Sequence, residues 1–447
     1  MHWVIRGCAG LALALALLIL ATPAQAAKKS IWGPSKLPDG SSAFTLYEEL
    51  GVDVYQIQLS WPDVAPVRPD PSTAASDPAN PAYVWPTRLD ETIADAASHG
   101  IEVAIMLKGR GTPAWANGDR DPSWVPDSDA DFADYAAAAS RRYPSVRYWM
   151  VWGETTQQNN FNPMPANSPD GPRRYALLLD AAYAALKGVK SSNLVIGGMT
   201  HTAGLVRPRK YIDWLRLPDG RPPRLDLYGH NPLSYRFPLR SQGPQLVDMR
   251  DMSDLDTLQE DLRRAYGTGR VPPLWLSEYT ISSDQRNRAF AVAVTRAEQA
   301  RWLTAAFKIA DQTSGVHLLG WYNMFDDPVT RPEHLTTGLM TFEGEIKPAF
   351  AAFRAAPSAR SAPSVKVVSR LGRSSLAGRG LAVGLRTRTG GRHTVRLRRG
   401  ARIVASARTT SAKRTLRVRD RRAKRGRYVV EVLSPRGETL RFPLVVR

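Results

Sequence analysis

Cysteine is almost absent from this chain. Its 447 residues include only one, Cys8, which lies in a predicted signal segment. The remainder of the chain can therefore form no disulfide and offers no thiol nucleophile or thiolate metal site. Without such crosslinks, stability must come from the size of the hydrophobic core, which a barrel of typically ~250 residues can supply.

Long apolar runs are also scarce. One stretch, Leu11 to Ala21, follows Arg6 and precedes Ala24-Gln25-Ala26. It is too short to cross a bilayer, which takes about 20 apolar residues, and the Ala-x-Ala pattern is typical of signal peptidase sites. We therefore expect residues 1–26 to be a signal peptide. The mature protein is then secreted to the extracellular side and has no transmembrane anchor.

Acidic residues are rare in the last fifth of the chain. Residues 361–447 contain 24 Lys and Arg against 3 Asp and Glu, whereas the whole chain has a net charge of +20. The basic excess therefore belongs to this tail alone. It suggests contact with an anionic cell surface or polysaccharide, but no specific nucleic acid. The alternative is that arginines simply occupy the solvent-facing positions of strands.

Before this tail, apolar strand patterns alternate with helical ones. The eight strand candidates are Ser30–Gly33, Val52–Leu59, Ile101–Leu107, Val146–Trp152, Leu194–Thr200, Leu225–His230, Leu274–Glu278 and Val316–Met324. Eight such repeats predict an α/β fold, a (β/α)8 TIM barrel over residues 27–355. A doubly wound open sheet would need a glycine-rich phosphate turn after its first strand, and none is present.

The pattern changes after residues 356–363, which have the Pro, Ser and Ala composition of a linker. In residues 364–447 apolar positions alternate with arginine, as in the segments Thr394–Arg398 and Tyr428–Val432. Short alternating strands between glycine-rich turns predict a small all-β, sandwich-like domain. It has no paired acids, histidine cluster or nucleophile motif, so we assign it no catalysis.

Two glutamates stand directly after buried strand candidates. Glu154 follows Trp152-Gly153, and Glu278 follows Leu276-Ser277. An unpaired carboxylate is too costly to bury in a core, but it is well placed at the carboxyl end of a barrel strand. Two carboxyl groups facing one sugar suit glycosidic bond cleavage, in which one is neutral and donates a proton while the other is ionised.

With this pair, the barrel resembles the retaining glycoside hydrolases of clan A, especially the β-xylosidase/iduronidase-like and cellulase-like families. The resemblance implies a glycosidase that hydrolyses O-glycosyl bonds of an oligo- or polysaccharide through a covalent intermediate, without a cofactor or a metal. It also implies that Glu154, on the fourth strand, is the acid/base and that Glu278, on the seventh, is the nucleophile. We expect a retaining double displacement.

Two positions depart from the clan's pattern. The clan usually has Asn immediately before the acid/base, where this chain has Gly153. It also usually has Arg on the second strand, where this chain has Gln56 and Gln58. Asn160 is the candidate that would contact the substrate in place of the missing Asn. The departures also leave room for an alternative, an impaired barrel that binds glycan and is anchored to an anionic surface by its basic tail.

Six residues are candidates for substrate binding: Trp61, Trp115, Asn160, His230, Tyr235 and Trp321. The indole rings suit stacking on the apolar face of a sugar, with Trp321 in the place of the clan's aromatic platform. His230 and Tyr235 follow the sixth strand and would orient a carboxylate or contact the sugar. Structural roles are the alternative. The three tryptophans could fill the core, and His230 and Tyr235 could be strand-end or loop residues whose polar atoms are hydrogen-bonded within the protein.

Overall fold

The computed structural model describes residues 27–70, 72–286, 292–331, 334–359, 364–386, 392–410, 413–433 and 439–447. The predicted signal peptide and part of the predicted linker, residues 360–363, lie outside these ranges. Within the described ranges, no helix is both long and apolar enough to cross a membrane.

The first part of the chain alternates strands and helices as expected. Its strands are β1 Lys28–Trp32, β2 Val54–Ser60, β3 Glu102–Lys108, β4 Tyr148–Val151, β5 Leu194–His201, β6 Leu227–Asn231, β7 Leu274–Tyr279, β8 Ser282–Ser283, β9 Ala293–Val294 and β10 Val316–Tyr322. Its helices are α1 Phe44–Glu49, α2 Trp61–Val64, α3 Thr87–Ser98, α4 Ala114–Asn117, α5 Asp129–Arg142, α6 Asp170–Val189, α7 Pro208–Trp214, α8 Leu255–Tyr266, α9 Arg296–Gln312 and α10 Pro348–Ala355.

Eight of these strands close into a barrel in the order β1-β10-β7-β6-β5-β4-β3-β2. All eight neighbouring pairs are parallel. Parallel neighbours require a crossover between consecutive strands, and the helices supply it. The predicted TIM barrel is therefore confirmed, with all eight predicted strands present and β4 and β7 contributing the two glutamates.

The strands bury both of their faces, but against different partners. One set of side chains, including Met106, Met150, Met199 and Trp275, fills the barrel interior. The alternate set packs outward into a larger core that the helices share. Because side chains alternate along a strand, a shift of one residue moves a side chain from the interior to the helical layer.

Local signals set some element ends. Helix α9 begins at Arg296 because Thr295 accepts the Glu298 amide and the Glu298 carboxylate reaches back to the Thr295 amide, which is a capping box. Helix α5 has Asp129 and Asp131 in its first turn and basic residues in its last, the order that its dipole favours.

The tail forms two sheets around a separate core. Its elements are β11 Ser364–Lys366, β12 Arg370–Leu371, α11 Arg373–Ala377, β13 Leu381–Arg386, β14 His393–Arg399, β15 Arg402–Thr409, β16 Lys413–Val418, β17 Gly426–Leu433 and β18 Thr439–Val446. One sheet has the order β11-β13-β16 and the other β12-β18-β17-β14-β15. Side chains from both, such as Val383, Leu416, Val395 and Val430, share one buried cluster. The predicted all-β, sandwich-like architecture is confirmed.

Candidate active site

A cavity of about 470 Å³ lies at the carboxyl ends of the barrel strands. Both predicted glutamates line it. The other lining residues are Gln58, Met106, Lys108, Gly153, Gln157, Asn159, Asn160, His201, Leu233, Thr280, Tyr322 and Leu335. They come from the ends of β2, β3, β4, β5, β7 and β10 and from the loops that follow. This is the end of the barrel at which TIM-barrel enzymes carry their chemistry.

Glu154 is held by a tight turn after β4. Trp152 has a φ of 69° and Glu154 a φ of 44°, both in the left-handed region that non-glycine residues seldom occupy. The next residue secures the turn, because the Thr155 amide and hydroxyl donate to the Met199 and Gly198 carbonyls of β5 at 2.9 and 2.6 Å. Such held backbone conformations cluster at functional sites.

Two side-chain amides hold the Glu154 carboxylate. Asn231 Nδ2 donates to its Oε1 at 3.1 Å, and Asn160 Nδ2 is 3.3 Å from its Oε2. The loop that carries Asn160 is itself fixed, since the Trp152 indole N–H donates to the Asn160 carbonyl at 2.7 Å. Predicted Asn160 is thus in the site, as a partner of Glu154. Asn231, the last residue of β6, was not predicted as a site residue, although its strand-end position resembles that of the glutamates.

Glu278 is half-buried at the end of β7. Burial and the negative charge of Glu154 raise the pKa of the Glu278 carboxyl to about 8, while the Lys108 ammonium acts in the opposite direction. Among the described residues, neither glutamate forms an ion pair. The two acids therefore share one cavity and interact electrostatically, as proton donors and nucleophiles of opposite protonation must.

A hydrogen-bonded layer lies beneath Glu278. Gln56 Nε2 donates to the Ser277 carbonyl at 2.8 Å, and its Oε1 accepts from the Ser277 hydroxyl and the Trp275 indole. A Cβ at Gly320 would come within 2.2 Å of the Ser277 oxygen and 2.6 Å of Gln56 Nε2, so only glycine fits there. Gln56 is thus committed to the barrel interior, and Gln58 is the one of the two glutamines that reaches the cavity.

Tyr322 and His201 also line the cavity, and the sequence reasoning did not select either one. Burial, with the charge of Glu278 next, raises the pKa of Tyr322 to about 12. His201 closes β5, and its Nδ1 accepts the Ala203 amide at 3.1 Å, so the proton of the neutral ring is on Nε2. The signal that could have identified them is their position, since His201 directly follows the predicted strand Leu194–Thr200 and Tyr322 lies near the end of the predicted strand Val316–Met324.

The predictions for Trp61 and Trp321 are wrong. Trp321 is fully buried, and its indole N–H donates to the Thr337 carbonyl. Its side chain points into the helical layer, because adjacent residues of a strand face opposite sides and the next residue, Tyr322, faces the cavity. Trp61 is 1% exposed and packs on Tyr135 and Phe132, at the outer face of β2. Neither indole has a free face for a sugar.

The prediction for His230 is also wrong. His230 is fully buried, and its Nε2 lies 3.0 Å from the Arg250 carbonyl while its Nδ1 lies 2.8 Å from the Thr200 hydroxyl. Burial lowers the pKa of the imidazole to about 3. Both nitrogens are satisfied in the neutral ring, so His230 has a structural role beneath the site.

The last two candidates lie away from the cavity lining. Trp115 does not line the cavity, because its indole N–H donates to the Ala65 carbonyl and the Arg68 guanidinium covers one ring face at 4.8 Å. The prediction of sugar contact is therefore wrong for Trp115. Tyr235 is 37% exposed and is not among the residues that line the cavity, and burial, with the charge of Glu154 next, raises its pKa.

A larger cavity, of about 860 Å³, lies away from these acids, before β6 and β7. It includes Asp180 and Asp226, but Arg224 pairs with the first at 2.7 Å and Lys187 with the second at 2.9 Å. Both carboxylates are neutralised, and this end of a TIM barrel usually serves stability. We therefore place the candidate active site in the smaller cavity.

No family model matches this chain, and no curated protein matches it. Several solved structures match it in fold. A family 39 glycoside hydrolase from the gut symbiont Bacteroides cellulosilyticus WH2 matches with a TM-score of 0.56 and 15% identity over 94% of this chain and 80% of its own. The chain shares the fold of this hydrolase.

Two further structures match over nearly their whole length. A glucosidase from Croceicoccus marinus has a TM-score of 0.53 and 14% identity, covering 96% of this chain and 97% of its own. A GH39 enzyme from Xanthomonas axonopodis pv. citri has a TM-score of 0.51 and 14% identity, covering 96% of both chains. The similarity in fold therefore extends over the barrel and the β domain together.

Proposed function

We propose that this protein is a secreted retaining glycoside hydrolase that acts on an oligo- or polysaccharide. The observation that carries the proposal is the pair of strand-end glutamates, Glu154 and Glu278, lining one cavity with no ion pair among the described residues. Export rests on the signal pattern of residues 1–26. The fold shared with glycoside hydrolases supports the reaction class.

The proposed reaction has two steps. In the first, protonated Glu154 gives its proton to the glycosidic oxygen as the bond to the leaving group breaks, and a Glu278 oxygen bonds to the anomeric carbon. In the second, Glu154 takes a proton from water, whose oxygen attacks that carbon and releases Glu278. One proton is consumed and one recovered, so the pair ends as it began.

Burial and the charge of Glu154 raise the pKa of Glu278 to about 8, although the first step needs Glu278 ionised. We infer that the two carboxyl groups share one proton below about pH 8, and that catalysis uses the form in which this proton is on Glu154. The singly protonated pair is the active form. We therefore expect kcat/KM to fall as pH rises above about 8.

Replacing each glutamate tests the proposal. Glu278→Ala should abolish turnover even of an activated aryl glycoside because no nucleophile remains, and Glu154→Ala should lower kcat/KM by about 10²–10⁴-fold on a glycoside whose poor leaving group must be protonated to depart. Glu343→Ala, at an exposed position away from the site, is the control. Wild-type turnover in Glu278→Ala would overturn the assignment.

A second candidate is a barrel that binds glycan without cleaving it. Gly153 and Gln58 favour it, since they stand where the clan usually has a sugar-binding Asn and an Arg. This candidate predicts that a panel of aryl glycosides and polysaccharides yields binding by calorimetry but no released sugar. Release of reducing sugar from any member of the panel would exclude it.

We also propose that the tail contacts an anionic polymer through one sheet face. Strand pairing places six arginines on the outer face of the five-stranded sheet, which we call the arginine face: Arg370, Arg396, Arg398, Arg408, Arg427 and Arg441. Glu431 is the acid among the described residues of this face, and Arg398 and Arg441 both pair with it. The remaining guanidinium groups suit sulfate, phosphate or carboxylate groups.

A further inference from the structure

We propose that Lys108 is a positioning residue of this site, which orients Asn160 toward Glu154 and supplies the positive charge that the two glutamates need. Lys108 ends β3 and lines the cavity with both acids. The inference deepens the proposed function and rests on it for its catalytic meaning, but its structural part is testable without turnover.

The side-chain amide of Asn160 lies between Lys108 and Glu154 and is hydrogen-bonded to both. Lys108 Nζ donates to Asn160 Oδ1 at 3.0 Å. An ammonium can only donate, so this contact fixes which end of the Asn160 amide faces Lys108. The Nδ2 end is then directed at Glu154 Oε2, at 3.3 Å. Lys108 thus sets the orientation of the side-chain amide that donates to Glu154.

Gly153 lies close to the side chains at the end of β3. A Cβ on Gly153 would come within 2.8 Å of Met106 Sδ and 3.6 Å of Lys108 Cδ. The Met106 thioether therefore occupies part of the room that an asparagine at position 153 would need, whereas Lys108 Cδ lies at an ordinary contact distance. Gly153 and Lys108 are thus neighbours at the edge of the cavity.

Lys108 also carries a charge opposite to that of the two glutamates. Two glutamates face the cavity, and Lys108 is the cation among its lining residues. Burial lowers the pKa of Lys108, and the charges of Glu154 and Glu278 oppose that shift. In return its ammonium lowers the pKa of Glu278. This is the influence that a second-strand arginine would otherwise exert, and Gln58 is uncharged.

Other titratable groups face the same space. They are His201 from β5 and Tyr322 from β10; Asp327 and Arg331 act on Tyr322 from the loop after β10, and Tyr235 interacts with the charge of Glu154 from outside the lining. His201 is the one imidazole among these groups. Any titration assigned to the glutamates must therefore be repeated in a His201→Asn background.

The experiment is a carboxyl titration of protein labelled with ¹³C at the glutamate side-chain carboxyl, followed by NMR. Glu154→Gln and Glu278→Gln assign the two signals. Removing the ammonium in Lys108→Met should move the upper titration midpoint of the pair to higher pH by about one unit or more. Lys108→Arg keeps the positive charge and should leave the midpoint close to the wild-type value. Lys308→Met, on the exposed side of α9, should not move the midpoint.

Enzyme kinetics provide the second readout. If the protein cleaves an aryl glycoside, both limbs of the kcat/KM profile of Lys108→Met should shift in the same direction as the titration. Should Lys108→Met fail to fold, Lys108→Gln retains length and polarity and tests the same charge.

The outcomes separate the two proposals. Unchanged carboxyl midpoints in a folded Lys108→Met would overturn the role of Lys108, whether or not the enzyme is active. A shifted midpoint in a protein that cleaves no glycoside would support Lys108 and reject the hydrolase proposal.

Discussion

At the residue scale, the step from Trp321 to Tyr322 separates core from site. The two aromatic rings are neighbours in β10, yet Trp321 is fully buried among the helices and Tyr322 lines the cavity. Alternation along a strand makes this difference unavoidable. The resemblance to the clan favoured Trp321 as a sugar platform, whereas strand register places Tyr322 at the cavity.

Paired substitutions should show this difference. Tyr322→Phe removes a hydroxyl from a residue that lines the cavity with both glutamates and should lower kcat/KM about 10-fold, the order expected for the loss of one hydrogen bond to the substrate. Trp321→Phe should leave kcat/KM within about twofold but lower the free energy of unfolding by roughly 1–3 kcal/mol through a cavity. Aryl glycoside kinetics and urea denaturation measure the two effects, and a reversed pattern would contradict the register.

His230 should make stability depend on pH. Its pKa is about 3 in the folded protein and about 6.5 when unfolded, so the unfolded state alone takes up a proton as pH falls below 6.5. Stability is therefore full above that pH and is lost progressively toward pH 3.

The expected loss from His230 between pH 7 and pH 5 is about 2 kcal/mol. His230→Asn should lose about 2 kcal/mol less than the wild type over this interval, because it removes the titrating group. Urea denaturation at both pH values measures the difference. His317, whose pKa burial lowers to about 4, is present in both proteins and cancels in the comparison. Equal losses would show that His230 is accessible to protons.

At the scale of elements, helix α8 is tied to the loop that supports the site. Arg250, in the loop before α8, forms an ion pair with Asp261 at 2.6 Å, with exposed side-chain fractions of 3% and 1%. The Arg250 carbonyl in turn accepts from His230, at the end of β6. Strand β6 also carries Asn231, which donates to Glu154. The Arg250–Asp261 pair is therefore linked to Glu154 through the end of β6.

Breaking that pair should be costly. Asp261→Ala leaves a buried guanidinium without a partner and should lower the free energy of unfolding by about 3–5 kcal/mol. The neighbouring Glu260, with a side chain 53% exposed, pairs with Arg263 on the surface. Glu260→Ala is a matched control and should change stability by less than about 1 kcal/mol. Similar effects for the two variants would mean that Arg250 finds other partners.

At the scale of the whole molecule, charge is divided between a barrel with nearly balanced charges and a strongly basic tail. The arginine face presents its guanidinium groups on one regular sheet, whose other face is buried in the tail's core. Rigid, closely spaced cations favour a polymer with repeated anionic groups over a single small anion. The proposed hydrolase would then act near the polymer that its tail contacts.

Deleting residues 361–447 tests this division. The full-length protein should bind a sulfated or phosphorylated polysaccharide with an affinity that falls steeply with salt, because screening weakens exposed charges. The deletion should abolish that binding and leave turnover of an aryl glycoside within about twofold. Co-sedimentation at two salt concentrations measures the first effect. Unchanged binding after deletion would refute the role of the tail.

Periodicity alone was enough to predict the architecture. Alternating strand and helix patterns require parallel neighbours, so the eightfold barrel followed from residues 27–355, and the period-two tail indicated a sandwich. Glu154 and Glu278 were predicted for a related reason: an acid directly after a buried strand can lie only at its open end. These inferences depend on local pattern and on the cost of burying charge, and both can be read along the chain.

Tertiary structure alone decided the surroundings of the two acids. Lys108, His201 and Tyr322 come from different strands, and only closure of the barrel brings them to one cavity and brings Asn231 to Glu154. Likewise, the sequence could not show that Trp61, Trp115, His230 and Trp321 have their polar atoms and rings occupied elsewhere. The sequence by itself therefore determined the fold and the two acids, whereas packing decided their partners, because contacts between remote strands depend on register.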